Sequence, residues 1–241
     1  MKTIAMIPAR YDATRFPGKL MQMLGGKSVI RHTYENTMAT RLFDEVLVVT
    51  DSPIIFKEIT HYGGYALMSK LPHESGSDRI AEAVADLEVD IVLNVQGDEP
   101  FVKKDPLQKL LNVFEGGSGR NVQVASLMQV LNDINQVGNP NTVKVVVDKN
   151  NDALLFSRSP IPYHRDKGIA PVYFQHIGVY AFRKQALMNF SQTKMSPLEE
   201  IEKIECLRYL ENGIKIRMVE TEYEGVSIDT PEDLERAKSL V

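Results

Sequence analysis

Arg10, Arg15 and Lys19 stand on one short stretch, IPARYDATRFPGK (Ile7–Lys19), in a chain whose formal net charge is −4. The three cations lie off any helical face, and Pro17-Gly18 makes a tight bend just before the lysine. Guanidinium forks grip phosphate oxygens two at a time, and three cations suit a triphosphate. Neither G-x-G-x-x-G nor G-x-x-x-x-G-K-[ST] occurs in the stretch, so the dinucleotide fingerprint and the P-loop are excluded. The plainer alternative is a solvated loop with scattered charges.

Three further groups carry chemistry. Ser75, Gly76 and Ser77 precede an apolar helical pattern with Arg79 in its first turn. Free amides and the helix dipole make such a start an anion or nucleotide site, although a simple cap at Ser77 or Asp78 explains it equally well. In NVQGDEP, Gln96 can both donate and accept at a strand end, and Gly97-Asp98 is good turn chemistry. In SPLEEIEKIECLRYLENG, a single helix closed by Gly213 would centre its apolar stripe on Leu198, Ile201 and Ile204. Glu205 and Arg208 then fall inside that stripe and need partners. Either they pair with each other at i, i+3, or Glu205 faces a pocket.

The elements that must position these residues alternate. TIAMI, EVLVVTD, GYALM, DIVLNVQ and VQVASLM read as strands. The segments SVIRHTYENTMA, the one opened by Pro53, SDRIAEAVADL and DPLQKLLNVF read as the helices between them. Such alternation implies right-handed crossovers and a Rossmann-like α/β fold, a mostly parallel sheet with helices on both faces. Ligands of that fold gather at the carboxyl ends of the strands, where the basic loop falls. From about Asn139 the pattern turns β-rich: TVKVVVDKNNDALLFSR reads as two strands and VYFQHIGVYAFR as another. IKIRMVE is a strand and TPEDLERAKSL a closing helix. An apolar fraction of 43% is ordinary for a globular chain. The acidic balance argues against nucleic acid as a partner, and no apolar run is long enough for a membrane helix. Cys206 is the single cysteine, which excludes an internal disulfide or a cysteine-rich zinc site and fits a cytoplasmic location.

PARYDATRFPGK resembles the signature loop of the sugar nucleotidylyltransferases. HESGSDR, NVQGDEP, NPNTVKVV, FSRSPIPYHRD, HIGVYAFR and GVSIDTPEDL follow in order and are similar to the cytidylyltransferases that activate 3-deoxy-manno-octulosonate (Kdo). The likeness spans nearly the whole chain. It implies transfer of CMP from CTP to the anomeric hydroxyl of Kdo with release of pyrophosphate, for lipopolysaccharide or capsule synthesis. A cytidylyltransferase for another sugar acid (a sialic acid or an amino-substituted Kdo), or a glycosyltransferase with a similar sheet, stays open. The resemblance further implies a nucleotide-diphospho-sugar transferase type of fold in one domain. Residues 1–138 would mainly bind CTP, 139–220 would form a sugar-acid and interface lobe, and 221–241 would close the fold.

The same likeness assigns CTP to Pro8, Ala9, Arg10, Arg15, Lys19, Ser75, Gly76, Ser77 and Arg79, with Arg10, Arg15, Lys19 and Asp98 catalytic. It assigns Kdo to Gln96, Arg158, Arg165, His176, Tyr180 and Glu205. Mg²⁺ would be held by Asp98 and Asp229, although Asp229 alone reads equally well as an N-cap. A homodimer is implied. The family usually carries glutamine where this chain has Cys206.

Overall fold

The computed structural model describes residues 1–12, 16–73, 75–166, 168–223 and 226–241. By contacts the chain divides into two compact units, Met1–Gln108 with Glu224–Val241, and Lys109–Tyr223.

The first unit is built on four parallel strands. β1 (Thr3–Ala9) is buried along nearly all its length, so it lies at the sheet centre. A 3₁₀ turn (Lys19–Met21) and a small hairpin, β2 (Met23–Leu24) with β3 (Lys27–Ser28), follow it. Gly25 and Gly26 have φ of 53° and 84°, the left-handed pair that a two-residue hairpin turn needs. α1 (Val29–Ala39) is capped by Ser28 and buries Val29, Ile30, Thr33, Tyr34 and Thr37. Met38, on the same pattern, stays 45% exposed. β4 (Glu45–Thr50), α2 (Pro53–His61), β5 (Ala66–Met68), α3 (Gly76–Val84), β6 (Ile91–Asn94) and α4 (Lys104–Asn112) complete the alternation. The strand order is β6-β1-β4-β5, and each pairing is parallel. Every one of these strands therefore delivers its carboxyl end to the same edge, which is what the alternation in the sequence requires.

The second unit opens with the short helix α5 (Gly116–Gly119), then β7 (Val124–Val130), α6 (Ile134–Gly138), β8 (Lys144–Val147) and β9 (Ala153–Ser157). β10 (Phe174–Arg183), α7 (Lys184–Gln192), α8 (Pro197–Glu202), α9 (Leu207–Glu211) and β11 (Ile216–Glu220) follow. Here β11 pairs with β7 in parallel, while β7–β10, β10–β8 and β8–β9 are antiparallel. The chain then returns to the first unit with α10 (Pro231–Lys238), closed at its start by a Thr230–Asp233 capping box.

One expectation fails. The segment after Ser196 is two short helices rather than one. The capping box at Ser196 and Glu199 forms as the sequence requires, but α8 ends at Lys203 in the left-handed conformation (φ 52°). Ile201 is 78% and Leu198 41% exposed, so of the expected stripe only Ile204 is buried. The core instead takes the contiguous run Cys206–Tyr209. The partners explain the break. Arg208 donates from Nε and Nη2 to both oxygens of Glu199, at 2.7 and 2.6 Å, and both side chains are buried. Nine residues of unbroken helix would hold the two about 13 Å apart. The turn brings them into a bidentate pair.

Candidate active site

Four cavity-lining groups meet at the carboxyl edge of the first unit. Pro8, Ala9 and Arg10 come from the end of β1, Lys19 and Leu20 from the 3₁₀ turn, and His73, Ser75, Gly76 and Arg79 from the start of α3. Gln96, Gly97 and Asp98 come from the end of β6. The cavity measures about 210 Å³. Close approach favours glycine at two of these places. A Cβ on Gly97 would stand 3.0 Å from the Pro8 carbonyl oxygen, and one on Gly76 3.1 Å from Pro8 Cγ.

Asp98 and Asp229 are 131 positions apart in sequence, and they converge on one cation. Lys19 Nζ donates to Asp98 Oδ2 and, at 2.9 Å, to Asp229 Oδ1. Burial alone would lower the Lys19 ammonium, but the two carboxylates outweigh it and raise its pKa above the ordinary value. The convergence is fixed by main chain: the Ile228 amide donates to the Asp98 carbonyl at 2.9 Å. Thr230, not Asp229, caps α10, so the capping role left open for Asp229 is not what its carboxylate does. Beside them Glu99 is pushed up to about 7 by burial and then by the Asp98 and Asp229 charges. Two aspartates that already share one cation form a donor set that suits Mg²⁺. A hard cation takes one or two carboxylates and leaves its other positions to phosphate and water.

Arg79 behaves otherwise than a free phosphate grip. Its guanidinium is buried and donates to the Ala9 carbonyl at 3.0 Å and to Asp51 Oδ2 at 2.6 Å. It therefore holds the end of β1 against the end of β4. The Arg79 bond, with Arg10 nearby, keeps the Asp51 carboxyl below its usual range. Ser75 is spent as the α3 cap, accepting from the Asp78 amide at 3.1 Å, while Ser77 is buried and does not line the cavity. Arg10 is exposed at the cavity mouth. Arg15 lies outside the described residues.

The sequence did not single out Asp51, His73 or Glu82. His73 Nε2 lies 2.6 Å from Glu82 Oε2, and Glu82 also accepts from the Lys70 amide. This carboxylate pins the segment that leads into α3. Only the place of Asp51 directly after the strand EVLVVT could have marked it in advance.

In the second unit, His176 and Tyr180 sit on β10 with ring centroids 5.3 Å apart. Tyr180 is hydrogen-bonded to Cys206; burial, and then the nearby Glu205 charge, push the thiol well up even though that hydrogen bond acts to lower it. The structure thus gathers His176, Tyr180, Glu205 and Cys206. It does not present Arg158 as an open fork. That guanidinium donates to the main-chain carbonyls of Glu202 (2.6 Å), Pro140 (2.7 Å) and Lys203 (3.3 Å). Arg165 is exposed on the loop between β9 and β10. Among the described residues no helix is long and apolar enough to cross a membrane.

A family model described as cytidylyltransferase matches residues 4–216. The 3-deoxy-manno-octulosonate cytidylyltransferase of Flavobacterium johnsoniae is 59% identical, with 100% of this chain and 99% of the relative covered. The enzyme of the same name from Christiangramia forsetii is 58% identical, with 100% and 97% covered. A solved CMP:2-keto-3-deoxy-manno-octonic acid synthetase complexed with CTP superposes with a TM-score of 0.93 at 39% identity, covering 100% of this chain and 98% of that one. The 4-diphosphocytidyl-2C-methyl-D-erythritol synthase of Anaerococcus prevotii, at 18% identity and a TM-score of 0.67, shares the fold. With a parallel-sheet cavity that joins a basic loop to two converging aspartates, and with relatives of that name along its whole length, this chain belongs to the cytidylyltransferase family.

Proposed function

We propose that the protein transfers CMP from CTP to the C2 hydroxyl of Kdo, giving CMP-Kdo and pyrophosphate. The observation that carries this reading is the pair Asp98 and Asp229 closing on Lys19 in a cavity lined by Arg10 and the α3 start. The relatives' names supply the sugar acid.

The chemistry follows from placement. Arg10 and Lys19 supply positive charge where a triphosphate would lie, and the α3 N-terminus adds the positive end of its helix dipole. Gly76 and Gly97 keep the cavity wall close to backbone, so that main-chain groups of Pro8 and Ala9 can meet a nucleotide. The sugar hydroxyl attacks the α-phosphorus in line, and pyrophosphate leaves. Phosphoryl-type transfer of this kind is mostly a matter of positioning and charge stabilisation. Asp98 and Asp229 would hold Mg²⁺, which when bound neutralises charge on the polyphosphate. No covalent intermediate on the protein is required. His176, Tyr180 and Glu205 provide polar groups for a polyhydroxylated acid, and Arg158 holds the 139–142 turn rather than clamping a carboxylate alone.

A homodimer through the second unit accords with the exposure of Leu154, Tyr163, Ile169 and Ile201 on that unit. Cytoplasmic work accords with the lone buried thiol of Cys206. The deciding experiment measures pyrophosphate release from CTP with and without Kdo and with and without Mg²⁺. Release that needs all three supports the reading, and release indifferent to Kdo overturns it.

A further inference from the structure

β10 does not run evenly beside β7. Ile177 stands opposite Leu127 and Tyr180 opposite Ser126, so Gly178 and Val179 are extra residues of a bulge. Bulges next to functional sites re-aim side chains. The side chain at the centre of this one is Ser126, which is fully buried. Its Oγ lies 2.9 Å from the Val179 carbonyl, 3.2 Å from the Ile177 carbonyl and 2.9 Å from Nε2 of His176.

A hydroxyl has one hydrogen and two lone pairs. Both carbonyls can only accept, so the hydrogen of Ser126 goes to them. Toward His176 the same oxygen has only a lone pair to offer. Nε2 must therefore carry a hydrogen. If it did not, three acceptors would crowd around one hydroxyl proton in a buried place, with unmade bonds that cost stability. The ring is also kept neutral: Phe156 packs edge-on at 4.9 Å and Tyr180 at 5.3 Å, and this burial pushes the imidazole down to about 4. In a neutral ring whose Nε2 is protonated, Nδ1 is a bare acceptor. His176 nonetheless keeps part of its surface open.

We propose that Ser126 is a positioning residue that locks His176 as its Nε2–H tautomer, so that Nδ1 accepts a hydrogen bond from a hydroxyl of the sugar acid and takes no part in binding its carboxylate. This rests on the reading of His176 as a sugar contact. The assignment is specific. An acceptor rejects an analogue lacking the matching hydroxyl and is indifferent to loss of the carboxylate, whereas a histidinium would do the reverse.

The test uses the full-length enzyme labelled with ¹⁵N-histidine, and two-bond ¹H–¹⁵N correlation spectra recorded from pH 5.5 to 8. The signals of His176 are identified by their loss in His176→Gln. The expected result is one Nε2–H tautomer that does not titrate in this range, and an Nδ1 shift that moves when Kdo is added in the presence of CTP and Mg²⁺. In Ser126→Ala the tautomers should mix, and the KM for Kdo should rise about tenfold while the KM for CTP stays within twofold. A wild-type ring in the Nδ1–H or imidazolium form overturns the proposal without touching the reaction, which pyrophosphate release reports separately. Ser126→Ala with an unaltered tautomer and unaltered Kdo kinetics overturns it too. A His176 signal indifferent to Kdo, in an enzyme that turns Kdo over, removes the sugar contact and the proposal with it.

Discussion

Single carboxylates can be tested one at a time, for chemistry at Asp98 and Glu205 and for stability at Glu199. Asp98→Asn keeps the shape of the side chain but removes one of the two charges that meet at Lys19. Turnover of the folded variant should fall by about 10²-fold or more, the scale of one preorganised electrostatic element. Full turnover in chelator would show that the aspartates do not serve a metal. Glu205→Gln should retain most stability and lose about tenfold in kcat/KM for Kdo, with CTP affinity unmoved, the cost of one charge-assisted hydrogen bond. Arg208 is held in a bidentate pair with Glu199. Glu199→Ala should therefore destabilise by about 3–5 kcal/mol, because it leaves a buried guanidinium without its charge partner. Its readout is the denaturation midpoint, and Kdo kinetics of the fraction still folded should be unchanged. At this scale the sequence was legible where residue type and strand end coincided, as for Lys19 and Asp98. It was silent on Asp51 and Ser126, whose importance comes from partners brought in by the fold.

Crossovers place the elements and were read directly from the alternation, whereas of the caps only the Ser196–Glu199 box was. Ser28, Ser52 and Thr230 each sit before an apolar helical pattern and each accepts from the helix start. The break after Glu202 could not be read, because local periodicity supports one helix and the long-range pair of Glu199 with Arg208 overrides it. α10 has a second duty. Asp233 Oδ2 accepts from the amides of Asp229 and Thr230, at 3.1 and 2.9 Å. Thr230→Ala should lower stability by about 1 kcal/mol, as losing a cap does. If the cap also aims Asp229, the concentration of Mg²⁺ needed for half-maximal turnover should rise. Titration of the metal in activity assays checks this, and an unchanged requirement would reduce the cap to local stability.

Across the whole molecule, acidity should act through His176. Its folded-state pKa, about 4, lies below the ordinary histidine value near 6.5. Between these values the unfolded chain binds a proton that the folded one refuses, so stability falls as pH drops through that window. Above about 6.5 the residue contributes nothing to the pH dependence. The loss approaches about 3 kcal/mol once pH is below the folded value. His176→Gln should flatten the acid limb of a plot of denaturation midpoint against pH. An unchanged limb would mean that carboxylates alone set it. The alternating strands and helices of the first unit were legible in the sequence by their period, while the Lys19–Met21 turn and the β2–β3 hairpin were not. The second unit was legible only as β-rich, because its antiparallel pairings and bulge depend on register that no local pattern records.

The main-chain bond from Ile228 to Asp98 has a consequence for how the protein is made. A ribosome delivers Lys19 and Asp98 early, and both can fold into place while more than a hundred residues are still to come. The second aspartate emerges only with the final segment, which must travel back to the first unit and dock there through that amide, the Lys19–Asp229 bond and buried Ile228 and Leu234. A nascent chain can thus be well folded and inert. A stop codon placed after Tyr223 should yield a protein that keeps much of its circular dichroism yet forms no CMP-sugar. Supplying the missing segment as a separate peptide should restore turnover in proportion to peptide concentration.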